Sequence, residues 1–445
     1  MKKVLLLLLI LFLFPLFVDA KKAQNNFIDI INEFDADVES IAISIKNLDT
    51  GKVVYSLNDK MLMTPASVQK ILTTPVAAEV LGEDYNFETS LFQRNNDEVL
   101  IKLGADPYLT TKNLKELIKK DITSQTKTIY IDDTAIDNKI WGEGWQWDDD
   151  LNTLMPRFNS YNLDKNLIKL TIMPAEKNQI PTIINPTKFP LVFFNNLATG
   201  KQTDIKVQRD TAISPNTLVL SGTVARPTTI YIPNINLKQY FENQLTKILH
   251  EKSIYIANPY RKSIVNDNDV LKNSVSHDIE KAIADVLKNS NNLTSESMFK
   301  LAGAKYSGQA TGTGIDGIKM FNEYCVKNKL DNSRIRITDA SGVSKNNLVS
   351  TDFVSEFLVK SKNNYAMQYL ATPGEGTLTH RMLQIKNNLR AKTGTLSDVS
   401  SIAGYLTSKS GKNYAFCIIT NDIKLSESDK KMLEDYIIRE AYLRL

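Results

Sequence analysis

The chain is poor in the residues that build metal sites and disulfide frameworks. Among its 445 residues there are three histidines and two cysteines. The histidines, His250, His277 and His380, show no metal-ligand spacing, and they offer little basis for a Ser-His-Asp triad. Cys325 and Cys417 each lie in an apolar segment, which is typical of a small buried side chain, so we expect both to be unpaired. No metal or other cofactor is predicted.

The chain also lacks a strong excess of one charge. Its formal net charge of +4 is small for this length and argues against a nucleic-acid partner. The one long apolar run, 4–17, follows Lys2 and Lys3 and leads to the small residue Ala20. It is shorter than the roughly 20 residues of a membrane span. We therefore predict a signal peptide at 1–20, cleavage after Ala20, and a mature chain exported to the periplasm or cell envelope with no stable membrane span. An uncleaved N-terminal anchor is the alternative.

Changes in composition divide the mature chain, which is too long for one compact core. Residues 89–261 are rich in Asn, Lys, Ile and Thr, with short alternating runs punctuated by prolines. This texture predicts an inserted β-rich module made of two small subdomains. The flanking segments, 21–88 and 262–445, are predicted to form one domain together. Oligomeric state is not determined by any of these patterns.

A hairpin and a helix start are predicted around residues 41–70. Isoleucines alternate with small or polar residues over 41–45, as in a half-buried strand, and a return strand follows. Pro65 then precedes Ser67 where a helix is expected to begin, and Ser67 and Lys70 would share one face of it. A lysine in a desolvated site can lose its proton and act as the base that a serine nucleophile needs. The alternative is an ordinary capped amphipathic helix.

The same Ser-x-x-Lys spacing occurs three more times, so spacing alone is weak support. The other serines are Ser124, Ser297 and Ser428. Ser124 lies in a polar run before a predicted strand, Ser297 lies within a predicted helix, and Ser428 is too close to the C-terminus for further elements to follow. Ser67 is therefore the favoured nucleophile.

Two further motifs follow Ser67 in order. They are Ser290-Asn-Asn292 and Lys392-Thr-Gly394. Ser-x-x-Lys, Ser-x-Asn and Lys-Thr-Gly form the motif set of β-lactamases and penicillin-binding proteins. The whole mature chain resembles the low-molecular-mass class C penicillin-binding proteins, the D-alanyl-D-alanine carboxypeptidase/endopeptidase family. Its hallmark is a long insertion, and here 223 positions separate Ser67 from Ser290. Four other segments also resemble the family: Leu103-Gly-Ala-Asp-Pro107, Trp145-Gln-Trp-Asp-Asp149, Asp339-Ala-Ser-Gly-Val-Ser344 and Gly376-Thr-Leu378.

The resemblance implies an α+β multidomain fold. A serine β-lactamase/penicillin-binding transpeptidase-like domain, with an antiparallel sheet flanked by helices, would carry the large β-rich insertion. The implied activity is that of a serine D-Ala-D-Ala carboxypeptidase or endopeptidase, which works through an acyl-enzyme and is acylated by β-lactams. The implied partners are peptidoglycan stem peptides and β-lactams. A β-lactamase or esterase on the same fold, or a non-catalytic peptidoglycan-binding envelope protein, are the alternatives.

The resemblance also implies roles for individual catalytic residues. Ser67 would attack the substrate carbonyl and Lys70 would take its proton. Ser290 would relay a proton to the leaving amine, and Asn292 would hold Lys70 and the substrate amide.

The third motif would bind the substrate. Lys392 and Thr393 would hold its terminal carboxylate, and Gly394 would let its backbone approach. The backbone N–H groups of Ser67 and Thr395 would form the oxyanion hole.

Four positions depart from the family's usual pattern. Ala340 and Asp398 stand where glycine is usual, and Asn291 stands where aspartate is commoner. Pro75 lies within the predicted serine helix, which we expect it to kink or end. None of these changes removes a reactive group.

Overall fold

The structure is a computed structural model that describes residues 27–176, 179–422 and 424–445. The predicted signal peptide at 1–20 lies outside these residues. Within the described ranges, no helix is both long and apolar enough to cross a membrane. The strands are β1 (Ile41–Asn47), β2 (Val53–Leu57), β3 (Asn86–Gln93), β4 (Glu98–Lys102), β5 (Thr128–Asp132), β6 (Leu167–Met173), β7 (Thr182–Ile184), β8 (Val192–Thr199), β9 (Asp204–Arg209), β10 (Thr217–Val224), β11 (Thr228–Pro233), β12 (Tyr260–Lys262), β13 (Val270–Asp278), β14 (Ile335–Arg336), β15 (Leu348–Val349), β16 (Leu389–Leu396), β17 (Val399–Thr407) and β18 (Asn413–Thr420). The helices are α1 (residues 27–33), α2 (Lys70–Leu81), α3 (Thr111–Leu117), α4 (Leu237–Glu251), α5 (Ile279–Asn289), α6 (Asn292–Ser307), α7 (Gly314–Lys327), α8 (Thr351–Lys360) and α9 (Glu427–Arg444).

The chain folds into two compact units. Among the described residues, the first contains 27–83, Glu280–Asn291 and Gly314–Leu445. The second contains Asp84–Ile279 and Asn292–Thr313. The inserted module was predicted at 89–261. The second unit begins earlier, at Asp84, and its first segment ends later, at Ile279. The physical reason is strand pairing, because β13 runs antiparallel to β3 over its length and belongs to the same sheet.

The first unit is built on a five-stranded antiparallel sheet with the order β16-β17-β18-β1-β2. Strand β1 lies inside the sheet and is covered on both faces. Ile41, Ile43 and Ile45 pack in a hydrophobic cluster with α1 and α9. On the other face, the hydroxyl of Ser44 lies 2.8 Å from that of Ser355 on α8. The prediction of a half-buried strand was therefore wrong, because the strand's small and polar residues face a helix and not solvent.

The same alternation continues across the sheet and decides which side chains of the edge strand face α8. Cys417 pairs with Ser44, Ala403 pairs with Cys417, and Lys392 pairs with Ala403, so the four residues form one row across the sheet. Lys392 therefore lies on the α8 face, and so does Gly394 two residues further along β16. This face carries the candidate site.

The second unit contains a five-stranded sheet, β12-β5-β4-β3-β13, and two three-stranded sheets, β8-β10-β9 and β11-β6-β7. Buried side chains from all three sheets and from α3 and α4 belong to one hydrophobic cluster. The division of this module into two small subdomains stays a prediction.

Both cysteines are buried and unpaired, as expected. Cys325 lies in α7 and Cys417 in β18. Burial raises the pKa of the Cys325 thiol to about 12. These thiols therefore have the character of small apolar core groups.

Candidate active site

Ser67 lies on a tight turn at the start of a helix. A 3₁₀ turn over Ala66–Gln69 leads directly into α2 at Lys70. Ser67 is thus inside the first turn and is not the capping residue. Ala66, just before it, has a left-handed backbone with φ of 47°. Non-glycine residues adopt this conformation at a cost, and such strain is concentrated at functional sites.

Two glycines allow neighbouring backbone to approach this turn closely. A Cβ atom on Gly342 would lie 1.9 Å from the carbonyl oxygen of Ala66. A Cβ atom on Gly394 would lie 2.8 Å from the backbone nitrogen of Ser67. Ser401, which pairs with Gly394, donates a hydrogen bond of 2.6 Å to the carbonyl of Pro65. The serine turn is therefore held directly against β16 and β17.

Lys70 is fully buried and contacts the hydroxyl of Ser67. Its Nζ lies 2.9 Å from Ser67 Oγ and 2.7 Å from the carbonyl oxygen of Ser341. Ser67 itself is only half-buried. A buried amine within hydrogen-bond reach of an accessible hydroxyl has the geometry of a general base and its nucleophile. The predicted pairing of Ser67 with Lys70 is present in the structure.

The Ser341 carbonyl is placed by a loop that a buried carboxylate organises. Asp339 accepts hydrogen bonds from the backbone N–H groups of Gly342 (2.6 Å) and Ser344 (2.7 Å). It also accepts one of 2.8 Å from the side chain of Asn347. Thr73 on α2 donates to the carbonyl of Ala340 at 2.8 Å. The loop is thus tied to α2 on the same side as Lys70.

Lys392 is a second buried lysine on the site's face of β16. It is fully buried, and its Nζ donates to the carbonyl of Thr393 at 2.6 Å. Burial, followed by repulsion from the charge of Lys70, lowers its pKa well below the usual value. Within the described ranges it forms no ion pair. A carboxylate arriving here would supply the missing negative charge.

Strand β16 is the outermost strand of its sheet, and Ala391 bridges to Ala371 on its outer side. In the part of the chain that the structure describes, no strand pairs with this side of β16 after Ala391. Thr393 is buried, whereas Thr395 is exposed. An extended peptide can add to such an edge through main-chain hydrogen bonds.

Ser290 and Asn292 lie at the junction of α5 and α6. Ser290 belongs to the first unit and has a left-handed backbone with φ of 64°. Asn292 belongs to the second unit, where its side chain donates to the carbonyl of Leu154 at 2.8 Å. The roles predicted for both residues remain predictions.

Two of the three rival serines, Ser297 and Ser428, have other surroundings. Ser297 is buried in α6, and its hydroxyl accepts a hydrogen bond from Asn162. Its spaced partner Lys300 pairs with Asp137 at 2.6 Å. Ser428 lies in the first turn of α9, whose cap is Ser426. Neither has the lysine-to-hydroxyl contact that Ser67 has with Lys70.

Pro75 does not end the helix that carries Lys70, because α2 continues through it to Leu81. The kink expected at Pro75 stays a prediction. Sequence reasoning also gave no role to Ser341, Gly342 or Ser401. The glycine in Asp339-Ala-Ser-Gly was an available signal, because glycine often marks a close backbone approach.

The described residues contain no group of three or more His, Cys, Asp or Glu side chains that could hold a metal ion. The site is instead built from a serine, two lysines and backbone groups.

Comparisons with known proteins identify the family to which the chain belongs. Residues 24–441 match the D-Ala-D-Ala carboxypeptidase 3 (S13) family. The chain is 24% identical over 432 residues to D-alanyl-D-alanine carboxypeptidase DacB of Haemophilus influenzae, covering 88% of this chain and 87% of the relative. It is also 24% identical over 452 residues to D-alanyl-D-alanine carboxypeptidase of Actinomadura sp., covering 92% of this chain and 83% of the relative.

Solved structures show the same fold. Penicillin binding protein 4 (dacB) from Haemophilus influenzae superposes with a TM-score of 0.79 at 21% identity, covering 94% of this chain and 99% of that one. A complex of the same protein with a novel β-lactam gives a TM-score of 0.74 at 20% identity, covering 91% and 96%. The predicted α+β multidomain fold is confirmed.

The family match covers nearly the whole chain, and the predicted activity, that of a serine-type D-Ala-D-Ala carboxypeptidase working through an acyl-enzyme, is confirmed with it. The chain is a member of the D-Ala-D-Ala carboxypeptidase 3 (S13) family.

Proposed function

We propose that Ser67 is the nucleophile of this carboxypeptidase and that Lys70 is its base. The observation that carries the proposal is the 2.9 Å contact between Lys70 Nζ and Ser67 Oγ, made by a fully buried lysine. Lys70 in its neutral form takes the hydroxyl proton as Ser67 Oγ bonds to the carbonyl carbon of the penultimate D-Ala. The C–N bond then breaks as Ser290 gives its hydroxyl proton to the leaving amine of the terminal D-Ala and takes up the proton that Lys70 removed from Ser67, so that Lys70 is neutral again and Ser290 is unchanged. Water hydrolyses the resulting ester and regenerates Ser67.

The two buried lysines, Lys70 and Lys392, are proposed to have different roles. Repulsion between their charges disfavours the state in which both are protonated. Lys392 keeps its charge when the substrate's terminal carboxylate is bound beside it, which leaves Lys70 as the group that gives up its proton. Thr393 and Gly394 continue the same strand, where they bind the carboxylate and admit the substrate backbone. Asn292 is proposed to hold Lys70 and the substrate amide.

The oxyanion hole is assigned to the backbone N–H groups of Ser67 and Thr395. The close approach of Gly394 to the Ser67 nitrogen supports this, because it brings the strand next to the nucleophile's own N–H. A preorganised donor of this kind is worth about 3–4 kcal/mol of transition-state stabilisation.

The proposed substrates are peptidoglycan stem peptides ending in D-Ala-D-Ala, and β-lactams are proposed to acylate Ser67. The solved β-lactam complex of the structurally similar penicillin binding protein 4 supports the second proposal. We also propose that the enzyme works in the periplasm or elsewhere in the cell envelope, after removal of residues 1–20. The basic start and short apolar run of the sequence support export.

The test is covalent labelling with fluorescent penicillin, followed by peptide mass spectrometry. The label is expected on the peptide that contains Ser67, and Ser67→Ala is expected to abolish it. Ser297→Ala and Ser428→Ala, which carry the same Ser-x-x-Lys spacing, are matched controls that should label normally. Labelling that survives Ser67→Ala would reject the assignment.

Assays of the unmodified protein distinguish between the alternative activities. Release of D-Ala from a D-Ala-D-Ala pentapeptide, with slow loss of the penicillin label, is the expected result. Rapid turnover of penicillin would identify a β-lactamase instead. Absence of both labelling and D-Ala release would identify a non-catalytic peptidoglycan-binding protein.

A further inference from the structure

The turn that carries Ser290 is held in an unfavourable backbone conformation. Helix α5 ends at Asn289, and Ser290 follows in the left-handed region with φ of 64°. Glycine or asparagine is usual at such a helix end, because other residues place Cβ against the backbone. The left-handed conformation is unfavourable for a non-glycine residue such as serine. Contacts around Ser290 must therefore hold the turn in this conformation.

One set of contacts comes from Asp285 within the same helix. Its Oδ1 accepts a hydrogen bond from the side-chain amide of Asn289 at 3.0 Å. Its Oδ2 accepts one from the side-chain amide of Asn291 at 2.7 Å. The backbone N–H of Asn291 also donates to the carbonyl of Asp285 at 3.3 Å. A single carboxylate thus binds the residues on both sides of Ser290.

This contact gives a reason for the unusual middle residue of the Ser-x-Asn motif. An aspartate at position 291 would bring a second carboxylate within hydrogen-bond distance of Asp285. It would lose the donated hydrogen bond and add repulsion between like charges. Asn291 is complementary to Asp285 in this chain.

A second set of contacts ties the turn to the loop at 371–376. Lys288 Nζ lies 2.9 Å from Glu375 Oε2. The other carboxylate oxygen of Glu375 accepts hydrogen bonds from the N–H and hydroxyl of Thr372. A Cβ atom on Gly376 would lie 2.3 Å from the carbonyl of Lys288. The end of α5 is therefore packed against this loop as well as paired with it.

The first residue of that loop pairs with β16, the proposed substrate-binding strand. Ala371 bridges to Ala391, the residue before Lys392. The loop therefore links the Ser290 turn to the edge of β16 through fewer than ten residues of chain.

We propose that Asp285 and the Lys288–Glu375 ion pair are positioning residues, which hold the left-handed Ser290 turn so that its hydroxyl can deliver a proton to the leaving amine. The proposal rests on the role of Ser290 in the proposed function. It predicts a defect in leaving-group protonation that depends on the substrate, because an amine must be protonated to leave whereas a thiolate need not be.

The test compares kcat/KM for two substrates with the same acyl group. One is a peptide ending in D-Ala-D-Ala, here called the amide, whose leaving group is an amine, and the other is the corresponding thioester, whose leaving group is a thiolate. Asn291→Asp is expected to lower the value for the amide by about 10-fold, within the range of coupling between side chains in contact. The thioester should change by less than about 2-fold, because its leaving group needs little proton transfer. The exchange variant Asp285→Asn with Asn291→Asp restores one carboxylate and one amide. It should return the amide value to within about 2-fold of the wild type.

The ion pair provides a second, independent measurement. Lys288→Met and Glu375→Gln should each lower the amide-to-thioester ratio. Lys360→Met and Glu356→Gln are matched controls, because that pair lies in α8 of the same unit with similar exposure of its side chains. They should leave the ratio unchanged. If Asn291→Asp fails to fold, as judged by its thermal midpoint, Lys288→Met and Glu375→Gln still test the proposal.

Equal losses for the two substrates would show general damage to the fold and overturn the proposal. So would an exchange variant that stays impaired, or an unchanged ratio in all the single variants. Ser290→Ala separates this failure from that of the proposed function. If Ser290→Ala leaves the ratio unchanged, the role of Ser290 itself is wrong. If it alters the ratio while the positioning variants do not, only the present inference fails.

Discussion

Replacing Lys392 with methionine tests whether this lysine binds the substrate's terminal carboxylate. Lys392 is fully buried on β16, and its ammonium group has a backbone carbonyl as its hydrogen-bond partner. Methionine keeps most of the buried alkyl volume and removes the charge together with the hydrogen bond to the Thr393 carbonyl, so the fold should be retained. A substrate that ends in a carboxylate should then bind and react less well.

The size of the loss follows from the contact that is removed. A hydrogen bond to a charged group contributes about 1.5–3 kcal/mol, or about 10- to 150-fold in kcat/KM. A substrate of the same acyl group without a terminal carboxylate cannot lose this contact, so its kcat/KM should change much less. The ratio of the two values isolates the carboxylate contact from any effect on Lys70, whose charge is also felt at Lys392.

The assay is steady-state hydrolysis of paired thioester substrates with and without the carboxylate, with thermal unfolding as a check on folding. Arg390→Met is a matched control, because Arg390 is an exposed cation two residues earlier on the same strand. It should leave both substrates within about 3-fold of the wild type, as expected of an exposed charge outside the site. If Lys392→Met impairs both substrates equally, Lys392 is not the carboxylate ligand.

Three further variants test the surrounding structure. Gly394→Ala should slow acylation by fluorescent penicillin by about 100-fold, because its Cβ would displace the serine turn, whereas Gly314→Ala, with nothing near its Cβ, should not. Asp339→Asn should slow the same acylation by about 10-fold or more, since it weakens the hydrogen bonds of the loop whose carbonyl holds Lys70. Burial raises the pKa of Glu434 above its usual value, so its contribution to stability is present below about pH 4.5 and is lost as the pH rises through the raised value. Glu434→Gln should therefore reduce the slope of unfolding free energy against pH in that window, measured by denaturant titration.

Each of these three predictions has a clear contrary result. Normal acylation of Gly394→Ala would mean that the strand can move away from Ser67 at no cost. Normal acylation of Asp339→Asn would show that the Ser341 carbonyl does not depend on this carboxylate. An unchanged pH slope in Glu434→Gln would show that Glu434 does not set the stability in that range.

The sequence was informative where the relevant spacing is local. Ser67 and Lys70 are three residues apart, and a helical turn brings such residues together whatever the rest of the chain does. Helix α4 can also be read locally, because apolar residues recur at helical spacing over a long segment. The antiparallel pairing of β17 with β18 is another local feature, since two apolar runs are joined there by a short polar turn.

Strand β1 shows where local pattern was insufficient. Alternation of apolar with small or polar residues predicts one buried face, and that inference fails when a helix covers the other face. Only the packing of α8 against Ser44 and Lys46 shows that the polar side of the strand is buried and paired. Neighbouring sequence does not specify which element will cover a strand.

By itself the sequence determined the order of the three motifs, the pairing of Ser67 with Lys70 and the membership of a serine carboxypeptidase family. The tertiary structure decided how that pair is held. The Ser341 carbonyl that contacts Lys70 lies 271 residues away along the chain, and Ser401, which fixes Pro65, lies 336 residues away. Contacts over such separations depend on sheet order and on loops returning to the sheet. They therefore arise only once the whole unit has folded.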